Sequence, residues 1–145
     1  SNNNNAFWPV IANITLKRAA GTVTEGGSSA AEYDAIQFKK HGNGNFSNIV
    51  IDGYKNQTTP TALNGGAIQI LDLVTYNSQV AGGKIKLNNV KITNTDNEFI
   101  SGAATFTVTA SSFVPSSNWS TSTTATGASL TNGTWSTVNG TTLLQ

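Results

Sequence analysis

Seven carboxylates, one arginine and one histidine are the groups from which chemistry could be built in this chain. Acid–base catalysis asks for a carboxylate pair, or a carboxylate facing a cation, on one wall. The acids are Glu25, Glu32, Asp34, Asp52, Asp72, Asp96 and Glu98. Asp34 precedes one apolar run and Asp52 follows another, so both are expected at turns. No repeated acidic column faces Arg18, the sole arginine. His41, in Lys40-His41-Gly42-Asn43-Gly44, is alone. That is too few for a multi-histidine metal site, and no nucleophile-elbow motif accompanies it. It is expected in an exposed loop. Asp96-Asn97-Glu98 carries oxygen ligands of the kind calcium takes, but without the spacing and glycine of an EF-hand loop, so a solvated turn is expected. Gly82-Gly83-Lys84 lacks the Walker spacing of a phosphate loop. No catalytic residue, metal or cofactor is expected.

Binding has better material. Trp8, Tyr54, Trp119 and Trp135 have rings suited to stacking on sugars, against the alternative that they pack in the core or a cap. Thr105, Thr107 and Thr109 form one threonine row, whereas a flat threonine-lined binding face would need the row repeated on successive strands.

The totals narrow the field. A chain of 145 residues is one ordinary domain in size. Only 10% of residues are charged, against about 25% in typical soluble domains. The net charge is +1, and Lys17-Arg18 and Lys39-Lys40 are the only basic pairs, so the basic stripe of a nucleic-acid binder is missing. There is no Cys, hence no disulfide. No apolar run approaches the roughly 20 residues of a transmembrane helix. The chain opens on Ser1, without a signal-peptide pattern, and is read as part of a longer chain or larger assembly.

The elements that would position these groups are strands. Apolar residues come in short β-branched runs bounded by Gly, Asn or Asp: Val10-Ile11, Ile49-Val50-Ile51, Ile68-Gln69-Ile70-Leu71, Val90-Lys91-Ile92 and Phe106-Thr107-Val108. Two patterns repeat. The first is large apolar, any, Asn, β-branched, any, aliphatic, in Ile11–Leu16, Phe46–Ile51 and Leu87–Ile92. The second is Ala35-Ile36-Gln37-Phe38, then Ala67-Ile68-Gln69-Ile70, with Ala104-Thr105-Phe106 as a degenerate third copy. Both recur at roughly 32–41 residues, in the range of repeat architectures.

Two interleaved series of one period predict an all-β, right-handed parallel β-helix, a solenoid of about three to four coils. Asn13, Asn48 and Asn89 would form a structural column at its bends. Loops would fill Thr22–Ala31, Lys55–Asn64 and Thr75–Gly83. Residues 1–100 are assigned to the coils, and residues 101–145 to a last coil plus an uncharged Ser/Thr/Gly-rich cap or tail. No charged residue occurs from Phe99 to Gln145. An antiparallel sandwich is the competing fold.

The stretch Tyr33-Asp34-Ala35-Ile36-Gln37-Phe38-Lys39-Lys40-His41-Gly42-Asn43-Gly44-Asn45-Phe46-Ser47-Asn48-Ile49-Val50-Ile51-Asp52-Gly53-Tyr54 resembles the later coils of exported β-helix proteins of Flavobacterium-like Bacteroidota. The Asn-rich start Ser1–Asn5 and the segment Pro9–Leu16 resemble the join leading into them, and the likeness covers roughly residues 1–100. The resemblance implies export to the outer-membrane surface or the extracellular space, as a lipoprotein or by type IX secretion. The expected function is a non-enzymatic module for binding, adhesion or scaffolding, beside an outer-membrane complex, with a cell-surface protein or a glycan as partner. A glycan-active lyase- or hydrolase-like fragment and a self-stacking filament subunit are the alternatives.

Overall fold

A computed structural model describes residues 8–18, 34–56 and 64–129, together with the backbone of 137–138 and 141–142. Its strands are β1 (Val10–Lys17), β2 (Asp34–Phe38), β3 (Gly44–Asp52), β4 (Gly66–Ile70), β5 (Ile85–Thr93), β6 (Asn97–Ser101), β7 (Trp119–Thr121), β8 (Thr137–Val138) and β9 (Thr141–Thr142). The chain feeds two parallel sheets in alternation. One has the order β1-β3-β5-β7 and the other β2-β4-β6, while β8 and β9 form a separate antiparallel pair.

The first repeated pattern explains the shape of the long strands. In a regular strand, core-facing residues alternate. Here Ile85 and Leu87 are buried, and so are Val90 and, in part, Ile92. The alternation therefore slips by one residue across Asn88-Asn89. Asn89 absorbs the slip by turning left-handed, with φ 57°, and Asn13 and Asn48 do the same at φ 60° and 52°. Asn tolerates this region better than other residues with a Cβ. The pairing holds on both sides of the bend: Ile11 sits beside Phe46, which sits beside Leu87, and Ile14 beside Ile49, which sits beside Val90.

One apolar cluster draws on both sheets. Ile49, Ile51, Ile85, Leu87 and Val90 come from the four-stranded sheet, and Ile68 and Ile70 from the three-stranded one, each 0% exposed. Full burial of such a side chain contributes on the order of 1.5–3 kcal/mol. The inner strand β4 is buried throughout, whereas β1 at the edge leaves Val10 and Ile11 exposed.

The structure differs from the expected all-β, right-handed parallel β-helix of about three to four coils. The described residues form two open parallel sheets, of four and three strands, rather than a closed solenoid. They are also not all-β. The segment Thr75–Gly83, expected as a loop, opens in helix: α1 (Leu73–Thr75) runs into a π-helical turn at Tyr76–Val80. Asp72 starts it, because its carboxylate accepts the Thr75 amide at 2.7 Å, and Val80 and Gln79 are buried beneath. Short 3-10 turns at Ala110–Ser112 and Ser116–Asn118 add to the helical share. The third strand of the second sheet is likewise not Ala104-Thr105-Phe106. It is β6, where Phe99 pairs with Ile68 and Ile100 with Gln69. The loop expected at Thr22–Ala31 lies outside the described residues, as does part of Lys55–Asn64.

The start of the uncharged tail packs on the core. Phe106, Val108, Phe113, Trp119 and Ala125 are buried, and β7 extends the four-stranded sheet beside β5. Among the described residues no helix is long and apolar enough to cross a membrane.

Candidate functional site

The C-terminal half of β5, the turn into β6 and the residues leaving β7 enclose an open cleft of about 800 Å³. Ile92 gives it aliphatic surface, over the buried Val90. Thr93 and Thr95 contribute hydroxyls on one side, and Thr121, Ser122 and Thr123 contribute them on the other. Lys91, Asp96 and Glu98 supply its charge.

The turn between the two strands is fixed by carboxylates. Asp52, at the end of β3, accepts the Asn94 side-chain amide at 2.8 Å and the Thr93 hydroxyl at 2.9 Å. Those bonds hold its carboxyl below the ordinary value. Asn94 is itself left-handed, with φ 48°. Asp96 accepts Lys55 Nζ at 2.8 Å and the Asn56 amide at 2.7 Å, and these bonds lower its carboxyl too. Glu98 is pushed the other way. Its carboxyl stays open to solvent, yet partial burial in the cleft raises it. Two carboxylates of one cleft are thus biased in opposite directions, a pattern that separates acid from base where catalysis occurs. Neither is expected from the spacing to do more than form a solvated turn. No group of three or more His, Asp or Glu side chains suited to a metal converges among the described residues.

His41 is not in a free loop. Its amide donates to Thr75 Oγ1 at 3.0 Å and its Nδ1 lies 3.1 Å from Ser78 Oγ. The neighbouring Asp72 would complete a serine–histidine–acid set, but the bonds are structural. Ser78 donates its hydroxyl hydrogen to the Val74 carbonyl at 2.6 Å, so no base withdraws it. Burial raises the Asp72 carboxyl, and the Lys40 and Thr75 amides outweigh that effect and hold it low. The cluster ties the turn after β2 to the helical segment after β4.

The three asparagines stand in one column. Asn48 Nδ2 donates to Asn13 Oδ1 at 2.7 Å, and Asn89 Nδ2 reaches Asn48 Oδ1 at 3.4 Å. The aromatic residues considered for ligand stacking divide. Trp119 is 9% exposed and packs against Phe99 and Phe113, with ring centroids 4.7 and 5.6 Å away, so its ring is already covered. Tyr54 is half-buried against the core. Trp8 is 38% exposed, and Trp135 lies outside the described residues. Trp8, Tyr54 and Trp119 do not line the cleft. Thr105, Thr107 and Thr109 lie outside any strand, and Thr109 opens a 3-10 turn.

Two features escaped the sequence. The cleft forms only when Thr121–Thr123 arrive beside β5, through a pairing that a low-complexity stretch does not advertise. Residues 126–128 also return to β3 and β1 across separations that no local pattern encodes.

Compared with known proteins, the chain matches no family model, no curated sequence and no solved structure.

Proposed function

We propose that this chain is a non-enzymatic binding module at the extracellular or outer-membrane surface of a bacterium, and that it takes a glycan in the cleft beside β5. The cleft itself carries the reading: Thr121 and Thr123 line it with exposed side chains, and Ile92 adds aliphatic surface. Ligand sites combine apolar surface with a few placed polar groups, and sugars present both C–H faces and hydroxyls to such a site. The surface location rests on the likeness of Tyr33–Tyr54 to exported bacterial proteins. Lys55 neutralises Asp96 and Lys91 balances Glu98, so no excess of cations draws uronates ahead of neutral or amino sugars.

Titration calorimetry with a cello-oligosaccharide, a chitosan oligosaccharide and an oligouronate tests this. The first two are expected to bind, and the uronate to bind more weakly. Replacing Thr121 and Thr123 by Val keeps shape and removes hydroxyls, so affinity should fall about tenfold. Absence of binding by the unmodified chain would end the reading.

A second reading has one observation in its favour. Asp96 and Glu98 both line the cleft, and a carboxyl pair on one cleft is what a glycan-cleaving site uses. Release of reducing ends from the same oligosaccharides, lost in Glu98→Gln, would replace the non-enzymatic reading.

A further inference from the structure

The outer wall of the cleft is built from a segment that does not stay with its own strand. After β7, Ser122 donates its amide to the Val90 carbonyl at 2.9 Å, which anchors the wall at its base. The chain then turns back across the sheet, in the direction opposite to that in which the strands were laid down. Thr126 and Gly127 donate their amides to Asn48 Oδ1 at 2.9 and 3.3 Å. Asn48 Nδ2 in turn reaches Thr126 Oγ1 at 3.2 Å and the Gly127 carbonyl at 3.3 Å. One residue on, the Ala128 amide donates to Thr15 Oγ1 at 2.9 Å. The segment thereby passes from β5 over β3 to β1, with Ala125 buried beneath it.

Sterics fix where it can lie. Gly127 has φ +65°, and a Cβ there would collide with Thr15 Oγ1 and press on the Ile14 carbonyl and Val50 Cγ2. Only glycine allows so close an approach at that φ. Asn48 therefore has two duties. It is the middle rung of the asparagine column, and it holds the far end of a strap whose near end is the wall Thr121–Thr123.

We propose that residues 124–128 are a strap whose docking on Asn48 sets the position of the cleft wall, so that Asn48 and Gly127 are positioning residues for ligand binding. The inference rests on the cleft being the binding site. The strap is held by a few partly exposed hydrogen bonds and one buried alanine, whereas the strands beneath share a continuous core. Segments of that kind open locally well before the whole fold does. Release of the strap frees Thr123 and slackens the wall, while β5 and β6 keep their places.

The test uses the full chain and two readouts. Hydrogen exchange at the Thr126, Gly127 and Ala128 amides reports docking without any ligand. Titration with the cello- and chitosan oligosaccharides reports the cleft. Gly127→Ala pushes the strap away from β1 and β3 and leaves the Asn48 side chain in place. Asn48→Gly keeps the left-handed backbone while removing the clasp, and Asn89→Gly controls for loss of a rung that touches no strap residue. Gly127→Ala and Asn48→Gly are expected to speed exchange at the three amides at least about tenfold and to weaken the oligosaccharides by about tenfold. Asn89→Gly should leave both nearly unchanged. Faster exchange with unchanged affinity would overturn the strap's role and leave the binding site standing. Unchanged exchange in Gly127→Ala would overturn the strap itself. Failure of the unmodified chain to bind either oligosaccharide would overturn the binding reading and the strap's role together, without reference to any variant.

Discussion

Both sheets stack strands in parallel, and each carries a row of side-chain amides, but the second row reaches deeper into the fold than the first. In the four-stranded sheet, Asn13, Asn48 and Asn89 form their row at the surface, every member left-handed. In the three-stranded sheet, Gln37 Nε2 donates to Gln69 Oε1 at 2.6 Å, within regular strand, and Gln69 is 5% exposed. At the surface a lost hydrogen bond can be replaced by water, so the amide bonds contribute little net stability. What Asn provides there is a backbone bend without the strain another side chain would suffer. In the buried row the backbone asks nothing special. The amide must instead be satisfied, since an unpaired buried polar group costs free energy. The same functional group thus serves conformation in one sheet and hydrogen bonding in the other.

The largest effect should come from the apolar neighbour of the buried row. Ile68→Ala opens a cavity in β4 where the side chain is 0% exposed and should cost about 3 kcal/mol in denaturant unfolding. Ile11→Ala on the edge strand, at 46% exposure, should cost less than about 1 kcal/mol. Similar losses at the two sites would mean that edge and interior are equally packed.

The surface row is tested at Asn89, which bears no strap. Asn89→Ala forces alanine into φ 57° and should cost about 1–2 kcal/mol. Asn89→Gly removes the same amide but accepts that φ, and should cost about half as much or less. If the two variants are equally unstable, the side-chain hydrogen bonds carry the row and the contrast between the sheets fails.

The buried row calls for the opposite design. Gln69→Leu leaves the Gln37 amide without this acceptor and should cost about 1–2 kcal/mol. Adding Gln37→Leu removes the donor of the pair as well and should cost less than a second independent loss. Non-additivity of this kind is the mark of a hydrogen-bonded pair.

Strands β1 to β5 were legible because each carries its own apolar run, although the similar run Phe106-Thr107-Val108 forms no strand, and the surface row was legible because Asn recurs at one place in three similar segments. The slip in alternation is also written in the sequence, since the large apolar residue precedes Asn by two positions and the β-branched residue follows at once. The closed solenoid did not survive, because repetition says which strands pair and not how the connections between them fold. Asp72 makes the difference in one connection: as a helix cap it turns Leu73–Val80 into helix, and nothing in the repeat marks it. β6 was misplaced because Glu98-Phe99-Ile100 keeps neither the alanine nor the glutamine of the earlier copies. The cleft was invisible for a third reason. Its acids are neighbours in sequence, but the wall facing them comes from Thr121–Thr123, more than twenty residues on.

The effect that places a charge on the drier side of the comparison is at Asp34. It opens β2 beside Gly66, and both carboxyl oxygens are shielded from solvent with no hydrogen-bond partner. Burial raises this carboxyl from 3.8 to about 7, and the approach of the Gly66 amide eases the shift without closing a hydrogen bond. Below pH 3.8 the group is protonated whether the chain is folded or not. As pH rises from 3.8 towards 7, the unfolded chain gives up the proton and the folded chain retains it, so stability falls across that window and levels off above it. Asp52, Asp72 and Asp96 have lowered values, and their contribution runs the other way, lost as pH falls below the ordinary 3.8. The two windows do not overlap, so the carboxyl in the three-stranded sheet can be read separately. Asp34→Asn should flatten the melting temperature between pH 4 and 7 and raise stability at pH 7 by about 1–2 kcal/mol, less than the full shift implies because part of the group's hydration is retained. A slope that persists in Asp34→Asn would assign the titration to another group, with Glu98 next in line because burial raises it as well.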